Sequence, residues 1–265
     1  MTRAVWLTDI HLNFLKPVQI DKFYQLVRAS RPNYVLISGD IGEAPQLQWY
    51  MQQLESRLPF PIYFVLGNHD YYGASFADVH TLTKGIVSRS QRLHWLTTSG
   101  VVELAPDVGL IGHEGWADGR AGDYFTSKVL LSDYLAIRDF VGLDEMQRFK
   151  LLNQLGDEAA RYIHEWLPKA LDKYPQVILL THVPPFTEAC WHEGGISDQE
   201  WLPHFVCQAA GEAMVQVMAD YPDRQLTVLC GHSHGQGSVQ VRDNLRVLTG
   251  GAEYGKPQVQ QVFEF

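Results

Sequence analysis

Five separate stretches of this sequence carry aspartate, asparagine or histidine, the side chains that bind transition metals. In chain order they are Asp9-Ile10-His11, Gly39-Asp40, Gly67-Asn68-His69-Asp70, His182 and Gly231-His232-Ser233-His234. Mixed imidazole and carboxylate ligands suit manganese, iron, zinc, nickel or cobalt better than calcium. An isolated Asp-x-His or a lone histidine is common, so each stretch alone is weak evidence. Their succession along one chain predicts a metal site.

The residue types within these stretches favour two metal ions rather than one. Asp40 can bridge two cations because a carboxylate has two oxygens. Asp9 and His11 are two residues apart, so both side chains can project to the same side if the backbone there is extended. The same spacing lets His232 and His234 reach two neighbouring metals. We therefore expect a pair of ions, manganese and/or iron, with zinc, nickel and cobalt as further candidates.

Each polar stretch directly follows an apolar run of strand length. The five runs are AVWLT from Ala4, YVLIS from Tyr34, IYFVL from Ile62, VILLT from Val177 and TVLC from Thr227. They are continuous rather than alternating, which is typical of strands covered on both faces. In open α/β sheets, ligands bind just beyond the carboxyl ends of the strands. The sequence therefore predicts that the five polar stretches meet at one edge of the sheet.

Amphipathic helical patterns separate these runs, which predicts βαβ units. We expect helices in VQIDKFYQLVRAS, QLQWYMQQLESRL and GEAMVQVMADY, and a long helix from Leu143 to Tyr174 that Pro168 should end or kink. Two hairpins, turning at Pro106-Asp107 and Asp243-Asn244, and a last strand in VQQVFEF add antiparallel pairing. The prediction is an α/β fold with two mixed sheets, in a single domain over residues 1–265.

The composition excludes several classes of protein. The chain has 265 residues, of which 46% are hydrophobic, so it can bury a substantial core. A net charge of −9 without a broad basic face argues against binding to duplex nucleic acid. No apolar run approaches the roughly 20 residues that span a bilayer, and the first residues do not resemble a secretory signal. Three sparse cysteines suit a reducing compartment, so we expect a cytoplasmic protein without a membrane partner.

In this order, the motifs Asp-x-His, Gly-Asp, Gly-Asn-His-Asp, a lone His and Gly-His-x-His resemble those of the calcineurin-like metallophosphoesterase family. The resemblance runs from Asp9 to His234, nearly the whole chain. It implies a four-layer α/β/β/α sandwich with a binuclear metal centre. It also implies that the protein hydrolyses a phosphate mono- or diester, most simply by in-line attack of a metal-bridging hydroxide. The expected partner is a small-molecule phosphoester.

The resemblance also assigns roles to individual residues. It implies that Asp9, His11 and His234 hold the first metal. It implies that Asn68, His182 and His232 hold the second metal, with Asp40 bridging the two. His69 would be the general acid that protonates the leaving alkoxide, and Asp70 would orient its imidazole.

Two other functions are open on the sequence alone. Ser233 lies in Gly-His-Ser-His-Gly, which fits the G-x-S-x-G nucleophile elbow of serine esterases. An elbow needs a strand, a turn and then a helix, whereas the residues after His234 predict a turn and a strand. A non-catalytic interaction module on the same fold is the second alternative. Such a module would be expected to lack several ligands, and here every ligand position is filled.

Two segments lie outside the shared motifs. The segment 113–144 is a substrate-determining insertion by this interpretation, in which His113, Trp116 and Arg120 could form a wall of the substrate site. Trp116 would stack on a ring, and Arg120 would meet a phosphate or carboxylate. A purely structural loop fits those three residues equally well. The segment 186–204 is rich in aromatic residues and glycine, and it could form a lid or simply pack.

Overall fold

The computed structural model describes residues 1–265, which form two large β-sheets between layers of helices. The strands are β1 (Arg3–Leu7), β2 (Tyr34–Ser38), β3 (Ile62–Val65), β4 (Leu93–Trp95), β5 (Val102–Ala105), β6 (Val108–Gly112), β7 (Gln176–Leu180), β8 (Trp191–His192), β9 (Gly195–Ile196), β10 (Gln225–Cys230), β11 (Gly237–Arg242), β12 (Leu245–Thr249) and β13 (Gln261–Glu264). The helices are α1 (Pro17–Ala29), α2 (Ala44–Arg57), α3 (Phe76–Val87), α4 (Leu96–Ser99), α5 (Asp133–Ala136), α6 (Glu145–Lys173), α7 (Leu202–Phe205) and α8 (Gln208–Ala219).

Both large sheets are mixed, as predicted. The first has the order β13-β1-β2-β3-β4 and is parallel except for β13, which pairs antiparallel with β1. The second has the order β11-β12-β10-β7-β6-β5. Its four central strands are parallel, and its edge strands β11 and β5 are antiparallel. The two antiparallel edges are the predicted hairpins around Asp243-Asn244 and Pro106-Asp107.

The continuous apolar runs form strands because both of their faces are buried. In β1, Ala4 and Trp6 pack in a cluster between the sheets, and this cluster also contains Ile178 and Leu229 from the second sheet. The alternate residues Val5 and Leu7 pack against the helices of the first outer layer, α1 to α3. Strands β7 and β10 repeat this alternation, with their other faces packed against α6 and α8. The result is the expected four-layer α/β/β/α arrangement.

Of the two effects predicted for Pro168, an end or a kink of the long helix, the structure excludes the end. Helix α6 does not end there but continues to Lys173. Proline removes one backbone hydrogen bond, but Leu167, Ala170 and Leu171 around it are buried. Their packing against the second sheet holds the last turns in helical form. None of the eight helices has the length and apolarity needed to cross a membrane.

The predicted meeting point of the five strands needs a correction, because these strands belong to two sheets. Strands β1, β2 and β3 lie in the first sheet, whereas β7 and β10 lie in the second. Their carboxyl ends still meet, across the top of the sandwich. His182, which follows β7, places its ring Nδ1 2.9 Å from the carbonyl oxygen of Ser38 at the end of β2. The polar stretches therefore form one site that bridges both sheets.

Candidate metal centre

The backbone of the candidate ligands is unusual. Five of the seven have a positive φ, namely Asp9 at 47°, His11 at 39°, Asp40 at 54°, His232 at 68° and His234 at 61°. Residues other than glycine rarely adopt this left-handed conformation, which costs on the order of 1–3 kcal/mol each. The expectation of an extended backbone at Asp9 and His11 was therefore wrong. The strands turn sharply at their ends, and these turns aim the side chains at a common point.

One group of donors lies at the ends of β1, β2 and β10. The ligand atoms of Asp9, His11, Asp40 and His234 all lie within 4.8 Å of one another. His234 Nε2 is 3.5 Å from Asp9 Oδ1, and His11 Nε2 is 3.6 Å from Asp40 Oδ2. The Nε2 atoms of His11 and His234 are 3.3 Å apart. This group contains the three residues predicted for the first metal together with the predicted bridge.

A second group of donors joins the ends of β3, β7 and β10. Asn68 Oδ1 is 2.9 Å from His182 Nε2 and 3.0 Å from His232 Nδ1. Asp40 Oδ1 is 3.5 Å from His182 Nε2. The residues predicted for the second metal therefore lie together as well.

In His182 and His232, the ring nitrogen that points away from Asn68 forms a hydrogen bond with a backbone carbonyl. These hydrogen bonds determine which ring nitrogen carries the proton. His182 Nδ1 meets the Ser38 carbonyl at 2.9 Å, and His232 Nε2 meets the His204 carbonyl at 3.2 Å. A carbonyl can only accept, so both of these nitrogens carry the proton. The opposite nitrogens then present lone pairs, and they face Asn68 Oδ1, which is also an acceptor. Three converging acceptors repel one another unless a cation lies among them, so this donor set fits a transition-metal ion.

Asp40 lies between the two groups. Its Oδ2 faces His11, and its Oδ1 faces His182. Oδ1 also accepts a hydrogen bond of 2.9 Å from the backbone N–H of His69, which holds the carboxylate in this orientation. Each oxygen of Asp40 therefore faces a different group of donors, as the oxygens of a bridging ligand must. This placement supports the predicted bridging role.

Burial sets the charge of these side chains. Desolvation lowers the pKa of His11 and of His232 to about 3, and it also lowers the pKa of His182. These imidazoles are therefore neutral at pH 7, the form that binds metals. Burial opposes ionisation of Asp9, but its hydrogen bond with His234 and its attraction to the neighbouring imidazoles in their protonated form hold its pKa well below the usual range. Burial, the Asp9 charge and the Asp70 charge raise the pKa of Asp40, which a cation would reverse.

The structure contradicts the expected pairing of Asp70 with His69. Asp70 is fully buried, and its Oδ1 accepts hydrogen bonds of 2.9 Å from the backbone N–H groups of Ile41 and Gly42. Its Oδ2 accepts a third hydrogen bond, of 2.8 Å, from Gly67. The short 3₁₀ turn over His69–Tyr71 points successive side chains in different directions. Asp70 therefore ties the loop after β2 to the loop after β3 and does not contact the imidazole.

His69 lies in the wall of a cavity above the donors. Its ring stacks on Tyr72 at 4.3 Å between centroids and meets the ring of His11 edge-on at 4.7 Å. Its Nδ1 is buried without a hydrogen-bond partner. Desolvation lowers the pKa of His69 to about 4, so the ring is neutral at pH 7. The position suits a proton donor to a bound substrate, although no carboxylate orients the ring.

The three residues predicted as a substrate wall lie elsewhere. The ring of His113 packs against Tyr162 at 5.1 Å, and Trp116 is 6% exposed in the core. Arg120 forms ion pairs with Asp118 at 3.2 Å and Asp157 at 2.6 Å. None of the three lines the cavity. The structural-loop interpretation of these residues is therefore the one that the structure favours.

Sequence reasoning missed several residues that do line this cavity, whose volume is about 280 Å³. They include Tyr72, Leu131, Asp133, His192 and Tyr254. Leu131 and Asp133 belong to the segment 113–144, and His192 belongs to the segment 186–204. Tyr72 lies four residues after Asn68, a spacing that could have suggested their contact. The sequence indicated the segments 113–144 and 186–204 as a substrate-determining insertion and a possible lid, but no periodicity within them identifies these particular residues.

Ser233 does not form a nucleophile elbow. The strand β11 follows its turn, where an elbow requires a helix. The hydroxyl group is buried, and no histidine accepts its proton. Ser233 is therefore a spacer between His232 and His234, and the geometry removes the support for a serine esterase.

Comparisons with known proteins give a family match and similar structures. The sequence profile described as calcineurin-like phosphoesterase matches residues 2–236. The phosphopantetheinyl hydrolase of Mycobacterium tuberculosis has a similar structure, with a TM-score of 0.66, 13% identity, and coverage of 94% of this chain and 89% of that chain. A dimetal phosphatase of Danio rerio is similar at a TM-score of 0.56 and 13% identity, covering 94% and 87%. At these identities the structural likeness shows the fold alone. No functionally curated protein matches this chain in sequence.

Proposed function

Because this chain belongs to the calcineurin-like phosphoesterases, we propose that it hydrolyses a small-molecule phosphate mono- or diester at a binuclear metal centre. The observation that carries this proposal is the position of Asp40, whose two oxygens face two separate groups of metal-binding atoms. Manganese and/or iron are the proposed ions, and zinc, nickel and cobalt also suit the donors. Activity in the reducing cytoplasm is part of the proposal and accords with three cysteines that are all free and buried.

The proposed mechanism gives each side chain a defined task. Asp9, His11 and His234 would hold the first ion, Asn68, His182 and His232 would hold the second, and Asp40 would be a ligand shared by both. When bound, such a pair of ions neutralises phosphoryl charge and lowers the pKa of water towards roughly 7. His69 in the cavity wall donates a proton to the leaving oxygen. For this transfer His69 must carry a proton in the substrate complex, so its pKa there must lie above the value of about 4 that burial gives it in the free protein.

We propose direct attack of water in line with the leaving group. The hydroxyl group of Ser233 is buried and cannot serve as a nucleophile, so no covalent intermediate on this residue is expected. A single direct displacement inverts the configuration at a chiral phosphorus atom. Retention of configuration would indicate a covalent intermediate and would contradict this part of the proposal.

The proposal is tested with the purified protein reconstituted with Mn²⁺ and assayed on p-nitrophenyl phosphate and bis-p-nitrophenyl phosphate. We expect D40N to lose at least about 100-fold in kcat/KM and to bind fewer than two ions, because both metals lose a shared ligand. The matched control is S233A, which should retain kcat/KM within about two-fold. An active D40N together with an inactive S233A would overturn the proposal in favour of serine chemistry.

A further inference from the structure

Asp133 is a buried carboxylate near the second group of donors, and it is not one of the seven predicted ligands. It is 4% exposed and lies in the segment 113–144, outside the shared motifs. Its Oδ1 accepts hydrogen bonds of 2.8 Å from Asn68 Nδ2 and of 2.6 Å from the Tyr72 hydroxyl group. Burying a carboxylate is costly, and these two donors compensate only part of that cost. The position therefore calls for an explanation.

The bond to Asn68 determines which end of its amide faces the metal-binding atoms. An amide has a carbonyl oxygen and an NH₂ group of similar size, and only the oxygen can bind a metal. In the structure, Oδ1 faces His182 and His232. Rotation of the amide by 180° would place hydrogen atoms there instead. Because Asp133 Oδ1 accepts the hydrogen bond of this NH₂ group, it stabilises the NH₂ group on its own side and opposes this rotation.

Two further contacts connect the segment 113–144 to the same group of donors. The carbonyl of Glu114 accepts a hydrogen bond of 2.7 Å from the backbone N–H of His182. The Tyr134 hydroxyl group lies 2.6 Å from Nδ1 of His204, the residue whose carbonyl meets His232. No hydrogen bond joins this segment to the first-group residues Asp9, His11 or His234. The support that the segment provides is therefore specific to the second group.

We propose that Asp133 is a positioning residue for the second metal, holding the Asn68 amide with its oxygen toward the ion. This inference rests on the proposed function, because it requires an ion at that position. It gives the segment 113–144 a role that the sequence did not suggest. The segment completes the second half of the centre, and the first half is independent of it.

The test is a titration of the metal-free protein with Mn²⁺, in which isothermal calorimetry resolves two dissociation constants and electron paramagnetic resonance reports coupling between the ions. We expect D133A to weaken the second site about 10–100-fold, the usual effect of removing a partner of a metal ligand. The dissociation constant of the first site should stay within about three-fold of its value in the wild-type protein. D133N keeps the size of the side chain and one acceptor oxygen, so its loss should be smaller than that of D133A.

The control is D139A, which removes a carboxylate of the same segment. Asp139 accepts a hydrogen bond of 2.8 Å from the backbone of Phe76 and contacts no ligand, so both constants should be unchanged. Circular dichroism verifies that each variant is folded. The inference would be overturned if D133A changed the dissociation constant of the second site by less than two-fold from the wild-type value. It would also be overturned if D133A weakened both sites equally. If the wild-type protein binds fewer than two ions, the proposed function itself fails.

Discussion

The surroundings of His69 determine both the orientation and the charge of its ring. Its ring is packed between Tyr72 and His11, and desolvation lowers its pKa to about 4. It is therefore neutral at pH 7 in the free protein. A general acid contributes typically about 10²–10⁴-fold to rate, and most when the leaving group is poor.

The first prediction follows from this position. We expect H69A to lose about 10²–10⁴-fold in kcat on an unactivated alkyl phosphoester, because the leaving alkoxide no longer receives a proton. The loss on a p-nitrophenyl ester should be much smaller, since that leaving group needs little protonation. Two bound ions should be retained, as measured by metal analysis. Full activity on the alkyl ester would remove His69 from the mechanism.

The second prediction concerns Asp70. It distinguishes a structural role, in which Asp70 ties two loops together, from a role in orienting His69. The carboxylate accepts three backbone hydrogen bonds from Ile41, Gly42 and Gly67. In D70N an NH₂ group replaces one of the two oxygens and faces at least one of these N–H donors, so we expect a loss of about 1–3 kcal/mol in the free energy of unfolding of the metal-free protein. Urea denaturation measures this loss.

The comparison variant for Asp70 is D21N. Asp21 forms an ion pair with Arg57 at the surface, at 3.0 Å, and such exposed pairs contribute about 0–1 kcal/mol. An unchanged stability of D70N, combined with an altered pH profile of kcat, would show that Asp70 acts through His69 after all.

The chemical identity of the ligands could be predicted from the sequence because Asp9, Asp40 and His182 each follow an apolar strand directly. The role of Asp133 could not. Its importance comes from one hydrogen bond to Asn68 across 65 positions of the chain, in a segment without a repeating pattern. The misjudged pairing of Asp70 has a similar cause, since adjacent residues in a 3₁₀ turn point in different directions.

At the scale of elements, the strands and the tight turns that follow them together position the proposed metal ligands. The turn after β3 passes so close to Asp40 that Gly67 has no room for a side chain. A Cβ atom at Gly67 would collide with Asp40 Oδ1 and would lie 2.7 Å from Cε1 of His182. Both of these neighbours are proposed metal ligands, so the glycine preserves the space in which they meet.

The third prediction is that G67A loses both metal binding and activity. The added methyl group displaces the bridging carboxylate, so we expect at least about a 100-fold loss in kcat/KM. The matched control is G195A, because a Cβ atom at Gly195 meets nothing within 4 Å and its φ is not positive. A G67A protein that binds two ions normally would contradict the proposed position of Asp40.

The five main strands could be predicted because burial on both faces leaves a continuous apolar run, as in β2 and β10. Strand β4 could not, since its three residues at Leu93–Trp95 form no such run. The continuation of α6 past Pro168 could not be predicted, because local propensity does not reveal that its last turns pack against a sheet.

The core of the whole molecule consists of three large apolar clusters, which lie between the sheets and under the two helix layers. The fold should therefore survive removal of the ions. Ions that bind only the folded state still stabilise it by mass action.

The fourth prediction concerns this removal. We expect chelation with EDTA to lower Tm by about 10–20 °C, because each of the two ions at 100 times its Kd adds about 2.7 kcal/mol and each kcal/mol shifts Tm by about 2–4 °C at this chain length. The far-UV circular dichroism spectrum at 25 °C should not change. Unfolding at 25 °C on chelation would show that the ions are part of the core structure.

The most direct measurement of the central claim is an anomalous difference map from crystals soaked in manganese. We expect two peaks per chain, one among Asp9, His11 and His234 and the other among Asn68, His182 and His232, with Asp40 in contact with both. A single peak, or none, at these residues would contradict the assignment of a binuclear centre.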